Sequence, residues 1–225
     1  DKILSLIFYP LKYVEYHHGN NSIRKTIVYN KNSKKVIIIL PQWMGRLWLY
    51  SRLIKKLQNK YTLVVYQLPN DLLNKDPHQV FKKFLETKED IIKTVSALKS
   101  KGFKEFSILG TSLSAALVFM VANADKSFRK IIVGFAGGHL SKSFLESNQL
   151  LVSHIREKMK TNCTNLIKLG EYWKTLEPIN NIKNIKGRKL YIYLAKNDKI
   201  VPYKYGLELL DKMKNEKIDF NLYID

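Results

Sequence analysis

Phe106-Ser107-Ile108-Leu109-Gly110-Thr111-Ser112-Leu113-Ser114-Ala115-Ala116 is the stretch on which the fold turns. An apolar strand runs into a Gly-x-Ser-x-Ser turn, Gly110 to Ser114, and an apolar helix starts at once. A chain that reverses so sharply from strand to helix brings neighbouring backbones almost into contact. The residues two before and two after the central one must therefore be small, and Gly110 and Ser114 meet that demand. Ser112 is then thrust out of the sheet edge at the first turn of the helix, where unused amides and the helix dipole favour developing negative charge. That makes Ser112 a candidate nucleophile. A serine at this point can equally be an ordinary N-cap, so the reading needs support from elsewhere in the chain.

Apolar runs on either side of this turn alternate with helical patterns. Val36-Ile37-Ile38-Ile39-Leu40 has no polar alternation, as in a strand covered on both faces. Tyr61 to Leu68 is a second such run and Phe106 to Leu109 a third; Lys130 to Ala136, Leu190 to Leu194 and Phe220 to Ile224 follow. Upstream, Leu6 to Tyr16 and Thr26 to Tyr29 predict a less buried antiparallel lead-in with a turn near Gly19-Asn20-Asn21. Asp76-Pro77 reads as an N-cap and first-turn proline, and the apolar stripe Val80, Phe81, Phe84, Leu85, Ile91, Ile92, Val95 and Leu98 carries that helix to near Gly102. Leu113 to Ala124, apolar on nearly all sides, predicts a buried helix, and Tyr205 to Lys214 predicts another before the last strand. This alternation predicts one α/β domain over residues 1–225, a mostly parallel sheet with helices on both faces. Gly138 to about Arg188 is too long for one crossover helix. A helical lid insertion at about 138–188, over the carboxyl edge of the sheet, is expected.

Two more segments follow strands at places suited to chemistry. Leu40-Pro41-Gln42-Trp43-Met44-Gly45 leaves the first buried strand, and a backbone N–H there can join that of the residue after Ser112 in an oxyanion hole. Trp43 and Leu113 are the candidate donors; Trp43 as a plain core aromatic beneath the lid is the competing reading. Leu194-Ala195-Lys196-Asn197-Asp198-Lys199-Ile200-Val201-Pro202 follows a later strand. Asp198 can accept the Nδ1–H of a catalytic imidazole and fix its tautomer, or it can simply cap the loop.

The ordered set Trp43, Ser112, Asp198 resembles the α/β-hydrolase superfamily over roughly residues 26–225. The resemblance implies a serine hydrolase of the esterase, lipase or thioesterase kind, with chain order nucleophile, acid, histidine. Pro41-Gln42 stands where many such enzymes carry His-Gly, which alters the loop but need not remove the amide donor. A larger departure concerns the histidine, which the family places after the acid. None of the five here, His17, His18, His78, His139 and His154, follows Asp198. His139, just after a strand in Gly137-Gly138-His139-Leu140, is the best placed candidate base, with an ordinary loop role as its competitor. The expectation is a truncated form of a longer protein whose C-terminal part carries the base; the first residue is likewise Asp1 rather than Met.

Composition bounds the remaining possibilities. A chain of 225 residues with 45% hydrophobic content can bury a full core. The single cysteine, Cys163, excludes an internal disulfide and a cysteine zinc cluster. No metal-ligand spacing, phosphate loop or dinucleotide fingerprint occurs, so chemistry without cofactor or metal is expected. The formal net charge of +20 could favour nucleic acid, anionic lipid or an acidic substrate. Its lysines, however, are scattered in pairs such as Lys34-Lys35, Lys55-Lys56 and Lys82-Lys83, with no arginine-rich arm or aromatic-interleaved basic motif. No apolar run approaches the roughly 20 residues of a membrane span.

The expected activity is hydrolysis of an ester or thioester through Ser112, or transfer of its acyl group to an alcohol. Expected partners are a small, anionic acyl substrate, no nucleic acid and no transmembrane segment, in a cytoplasmic location. Two other classes compete: a non-catalytic α/β-hydrolase-like ligand-binding protein without the triad histidine, and a basic protein whose salt-sensitive binding to polyanions survives Ser112→Ala.

Overall fold

The β-branched runs pair into one eight-stranded sheet in a computed structural model that describes residues 14–18, 23–30, 32–45, 50–162 and 166–225. Its strands are β1 (Val14–His18), β2 (Arg24–Val28), β3 (Lys35–Leu40), β4 (Thr62–Gln67), β5 (Glu105–Thr111), β6 (Phe128–Gly134), β7 (Lys189–Leu194) and β8 (Asn221–Ile224). They lie in the order β1-β2-β4-β3-β5-β6-β7-β8. β1 pairs antiparallel with β2, and β2 with β4; every pairing from β4 to β8 is parallel. The antiparallel lead-in is present, while its expected turn at Gly19-Asn20-Asn21 lies outside the described residues.

The helices are α1 (Ser51–Leu57), α2 (Pro77–Ser100), α3 (Leu113–Ala124), α4 (Leu140–Glu146), α5 (Leu150–Asn162), α6 (Leu169–Tyr172) and α7 (Tyr203–Asn215). Asp76 caps α2, its Oδ1 accepting from the His78 amide at 2.9 Å, and the helix stops at Gly102, whose φ is +83°. In α3 every residue from Ser114 to Ala122 is buried. Each Leu, Val or Phe enclosed there contributes about 1.5–3 kcal/mol of burial free energy, so this helix anchors the core. α1 has no counterpart in the sequence reading: Ile54 is its one buried residue, too thin a stripe to register as helical. No described helix is long and apolar enough to cross a membrane.

Because strand side chains alternate between faces, the sheet has two distinct sides. Ile38, Leu40, Tyr66, Ile108, Val133 and Ile192 face the large core built with α2, α3 and α7. Ile37, Ile39, Leu63 and Val65 face a smaller core under α1. That second cover is one seven-residue helix and reaches no further than β5. Beyond it Ile132, Tyr191 and Tyr193 are only half-buried, and Tyr223 is 57% exposed. Among the described residues the outer parallel strands are covered on one face only, although their sequences are as apolar as that of β3.

The topology also makes the site. From β3 the chain crosses to β4 through α1 on one side of the sheet; from β5 it crosses to β6 through α3 on the other. The carboxyl ends of these neighbouring strands therefore send their loops apart and leave a crevice between them.

Candidate active site

Ser112 stands in that crevice with φ +57° and ψ −129°. Such a conformation costs a non-glycine residue about 1–3 kcal/mol and persists only where its surroundings over-determine it. Here the Ser112 amide donates to the Gly134 carbonyl of β6 at 2.8 Å, and the Ser112 carbonyl accepts from Ala115 at 2.8 Å. Its hydroxyl makes no capping hydrogen bond to α3, so the side chain is not serving as an N-cap. A Cβ on Gly110 would lie 2.6 Å from Val118 Cγ2 and 3.0 Å from the Ser114 carbonyl oxygen, which is why the turn needs glycine there. Ser114 is fully buried, and its hydroxyl donates to the Pro41 carbonyl at the end of β3. The larger residue at that position ties the turn to the neighbouring loop.

That loop is itself tightly wound. The Gly45 amide donates to the Gln42 carbonyl at 2.7 Å, and Met44 has φ +59°. Tyr50, which the sequence did not single out, accepts from the Gln42 amide at 3.0 Å and lies 3.4 Å from Thr111 Oγ1. Trp43 packs half-buried against the large core, and its Nε1 donates to the Asn70 carbonyl at 2.9 Å. Its side chain thus has the structural role set against the functional one, whereas its backbone amide is a separate matter. Neither the Trp43 amide nor the Leu113 amide donates to another described residue.

A cavity of about 70 Å³ adjoins Ser112, walled by Leu113, Leu140, Phe144, Val152 and Val201. Asp198 lies at its margin. Oδ1 accepts from the amides of Ile200 at 2.8 Å and Val201 at 3.0 Å, so the carboxylate does cap its loop and is fixed by doing so. Oδ2 accepts no hydrogen bond among the described residues. Ile200 and Val201 both line the cavity, which brings the Asp198 loop and the Ser112 turn to one place.

The histidines are elsewhere. His139 Nε2 lies 3.0 Å from Glu208 Oε2 on α7, and its ring meets that of Tyr205 edge-on at 6.0 Å. His78 packs edge-on against Tyr172, and His154 is exposed on α5. No histidine among the described residues lines the cavity.

One buried carboxylate escaped the sequence reading. Glu177 is 3% exposed and accepts from the amides of Leu140 and Ser141 and from the Ser141 hydroxyl, holding the N-terminus of α4. Burial raises its pKa above the usual carboxylate value, against the opposing pull of those hydrogen bonds. The other end of α4 is held where Glu146 accepts from the Tyr205 hydroxyl and pairs with Lys204 at 2.6 Å. Leu140 and Phe144 of the cavity wall are thereby fixed from both ends.

No family model matches the sequence, and no curated protein matches it. Solved structures do. The chain is similar to the Pyrococcus horikoshii acylaminoacyl peptidase at 16% identity and a TM-score of 0.68, covering 98% of this chain and 38% of that one. It is similar to an acetyl xylan esterase from Paenibacillus sp. R4 at 13% identity and a TM-score of 0.70, over 96% of this chain and 78% of that one. A third likeness is to Thermogutta terrifontis esterase 2, phosphoramylated by tabun, at 13% identity and a TM-score of 0.64, over 96% and 85%. The chain thus spans well under half of the peptidase and most of either esterase. With the strand order and the crevice between β3 and β5, these likenesses give this chain the α/β-hydrolase fold.

Proposed function

We propose that this chain is a serine hydrolase that cleaves a carboxylic ester or thioester with a short acyl group through an acyl-enzyme on Ser112. The observation that carries this reading is Ser112 itself, held at φ +57° with a hydroxyl that caps nothing and faces an apolar cavity. Cost without structural return is the mark of a functional position. Ser112 Oγ attacks the acyl carbon while its proton passes to a histidine. The C–O or C–S bond then breaks as that proton reaches the departing alcohol or thiol, and water releases the acid by the same route. An alcohol in place of that water would make the reaction an acyl transfer.

The amides of Trp43 and Leu113 would hold the oxyanion, each worth about 3 kcal/mol in comparable sites. Asp198 offers Oδ2 to orient the imidazole. The end of β8 lies beside this loop, the Asp225 amide donating to Leu194 at 3.1 Å and the Lys196 amide to the Asp225 carbonyl at 2.9 Å. A short acyl group is supported by the size of the cavity among the described residues, about 70 Å³ against the several hundred of a drug-sized site.

Labelling of the full-length protein with a fluorophosphonate tests the reading. A Ser112-dependent adduct, lost in Ser112→Ala, is expected, and the organophosphate carried by the Thermogutta esterase makes the probe a natural choice. The absence of histidine from the described cavity favours the other reading, a ligand-binding protein of the same fold. Absence of any adduct, with a small ester still bound, would establish that reading instead.

A further inference from the structure

The net charge of +20 is unevenly distributed over the sheet. At the carboxyl edge, around the cavity, both signs mix: Asp71, Asp198 and Glu208 stand among Lys75, Lys142 and Lys199. The amino edge differs. Each segment that enters a parallel strand from β3 to β7 brings exposed cations: Lys34 before β3, Lys60 before β4, Lys104 before β5, Lys126 before β6, Lys186 and Lys189 at β7. None of these six has an acidic partner among the described residues; the acids of this edge are fewer than its cations, Glu105, Asp125, Asp211 and Glu216 pairing with Lys35, Lys99, Lys214 and Lys212, with Asp219 exposed before β8. With neighbouring strands about 4.8 Å apart, the row is about 20 Å wide. Lys55 and Lys56, from the last turn of α1, add depth on one side of it.

We propose that the amino edge of the sheet docks on an anionic membrane leaflet. The patch is broad and made of lysine point charges, which suits a diffuse layer of anionic headgroups. It lacks what a nucleic acid needs from a protein. The most exposed large apolar residues lie elsewhere, such as Met44, Phe135, Leu150 and Ile200 at the carboxyl edge, while the aromatics of this edge, Tyr29 and Phe103, are half-buried against each other at 6.4 Å and already lie under Lys101 and Lys34, so no open stacking platform is presented among the described residues. Of the two guanidiniums beside the row, Arg188 is spent on the carbonyls of Ala122, Asp125 and Asn184, which leaves the exposed Arg129 of β6 as a single fork among many lysines. Without an apolar anchor the attachment is purely electrostatic and reverses with salt. Strands of six or seven residues put Ser112 about 20 Å from the docked edge. The cavity then faces the aqueous side.

Co-sedimentation of the full-length protein with phosphatidylcholine vesicles, with and without phosphatidylserine, tests this. Binding to the anionic vesicles alone is expected, released at high salt. Lys104→Gln/Lys126→Gln/Lys186→Gln should weaken it about a hundredfold, at about fivefold per lysine. The carboxyl-edge control Lys75→Gln/Lys174→Gln/Lys199→Gln removes the same charge beyond a Debye length of about 10 Å and should change binding less than fivefold. All six positions are exposed, so unchanged melting curves are expected in both variants. Equal losses in the two variants, no binding to anionic vesicles, or tighter binding to duplex RNA than to vesicles at the same salt would each overturn the proposal.

Discussion

The two edges of the parallel sheet handle backbone strain in opposite ways. At the carboxyl edge three non-glycine residues, Met44, Ser112 and Phe135, take φ values of +59°, +57° and +54° just past β3, β5 and β6. At the amino edge the left-handed positions fall mostly to glycine, Gly102 at +83° and Gly187 at +78°, with Lys217 at +54° the exception after α7. Glycine adopts such angles without the Cβ clash that penalises other residues. A chain that only has to turn uses glycine. A chain that must also present a hydroxyl or an amide out of the sheet edge keeps a side chain and bears the strain.

That contrast can be broken most forcefully at Ser112. Ser112→Ala should lower kcat/KM for a short-chain ester by about 10⁴-fold or more, without lowering the melting temperature, since the lost hydroxyl caps nothing. Ser112→Gly should be as inactive yet more stable by about 1 kcal/mol in urea unfolding, because the strain is relieved. Gly110→Ala comes next. Its methyl would collide with Val118 and the Ser114 carbonyl, and a loss of about 1–3 kcal/mol is expected.

Glu177→Gln keeps the shape but loses an acceptor for the α4 amides, a cost of about 1–2 kcal/mol at pH 7. The folded-state pKa of Glu177 is raised, so the native state binds this proton more tightly than the unfolded chain. On that account the wild type gains stability as pH falls from just above its raised pKa to the unfolded value near 4.5, and loses it on the way back up. The wild-type advantage over Glu177→Gln should therefore widen on acidification across that window. A constant difference in urea midpoints would contradict the assignment. Ser114→Ala, which deprives the Pro41 carbonyl of its donor, should cost about 1 kcal/mol and reduce kcat more than it raises KM. Gly187→Ala sharpens the contrast from the other side. No atom lies within 4 Å of its would-be Cβ, so only the φ penalty of about 1 kcal/mol is expected.

Much of this was readable from sequence, for physical reasons that differ by region. The parallel strands announced themselves because strands in the middle of such a sheet are apolar on both faces, as in Val36 to Leu40, all of them buried. The Ser112 turn was readable because its sterics restrict residue type at two neighbouring positions. The half-covered face over β6 and β7 was not: Ile132, Tyr191 and Tyr193 suit a strand whether or not a helix lies over them. The roles of Tyr50 and Glu177 depend on partners far along the chain, Gln42 and Thr111 for one, Leu140 and Ser141 for the other. No local pattern encodes such pairs. The charge asymmetry was hidden for a related reason, because lysine pairs scattered in sequence gather only when parallel strands bring their starting points into one row.

The hydrogen bond from Ser114 to the Pro41 carbonyl, with Tyr50 meeting both Gln42 and Thr111, fixes the loop after β3 against the turn after β5. The spacing of the Trp43 and Leu113 amides is consequently set when the protein folds. On the proposed mechanism, dipoles aligned in advance need not rotate as charge builds on a reacting oxygen, so the reorganisation energy that water would demand at every turnover would be met once, in folding.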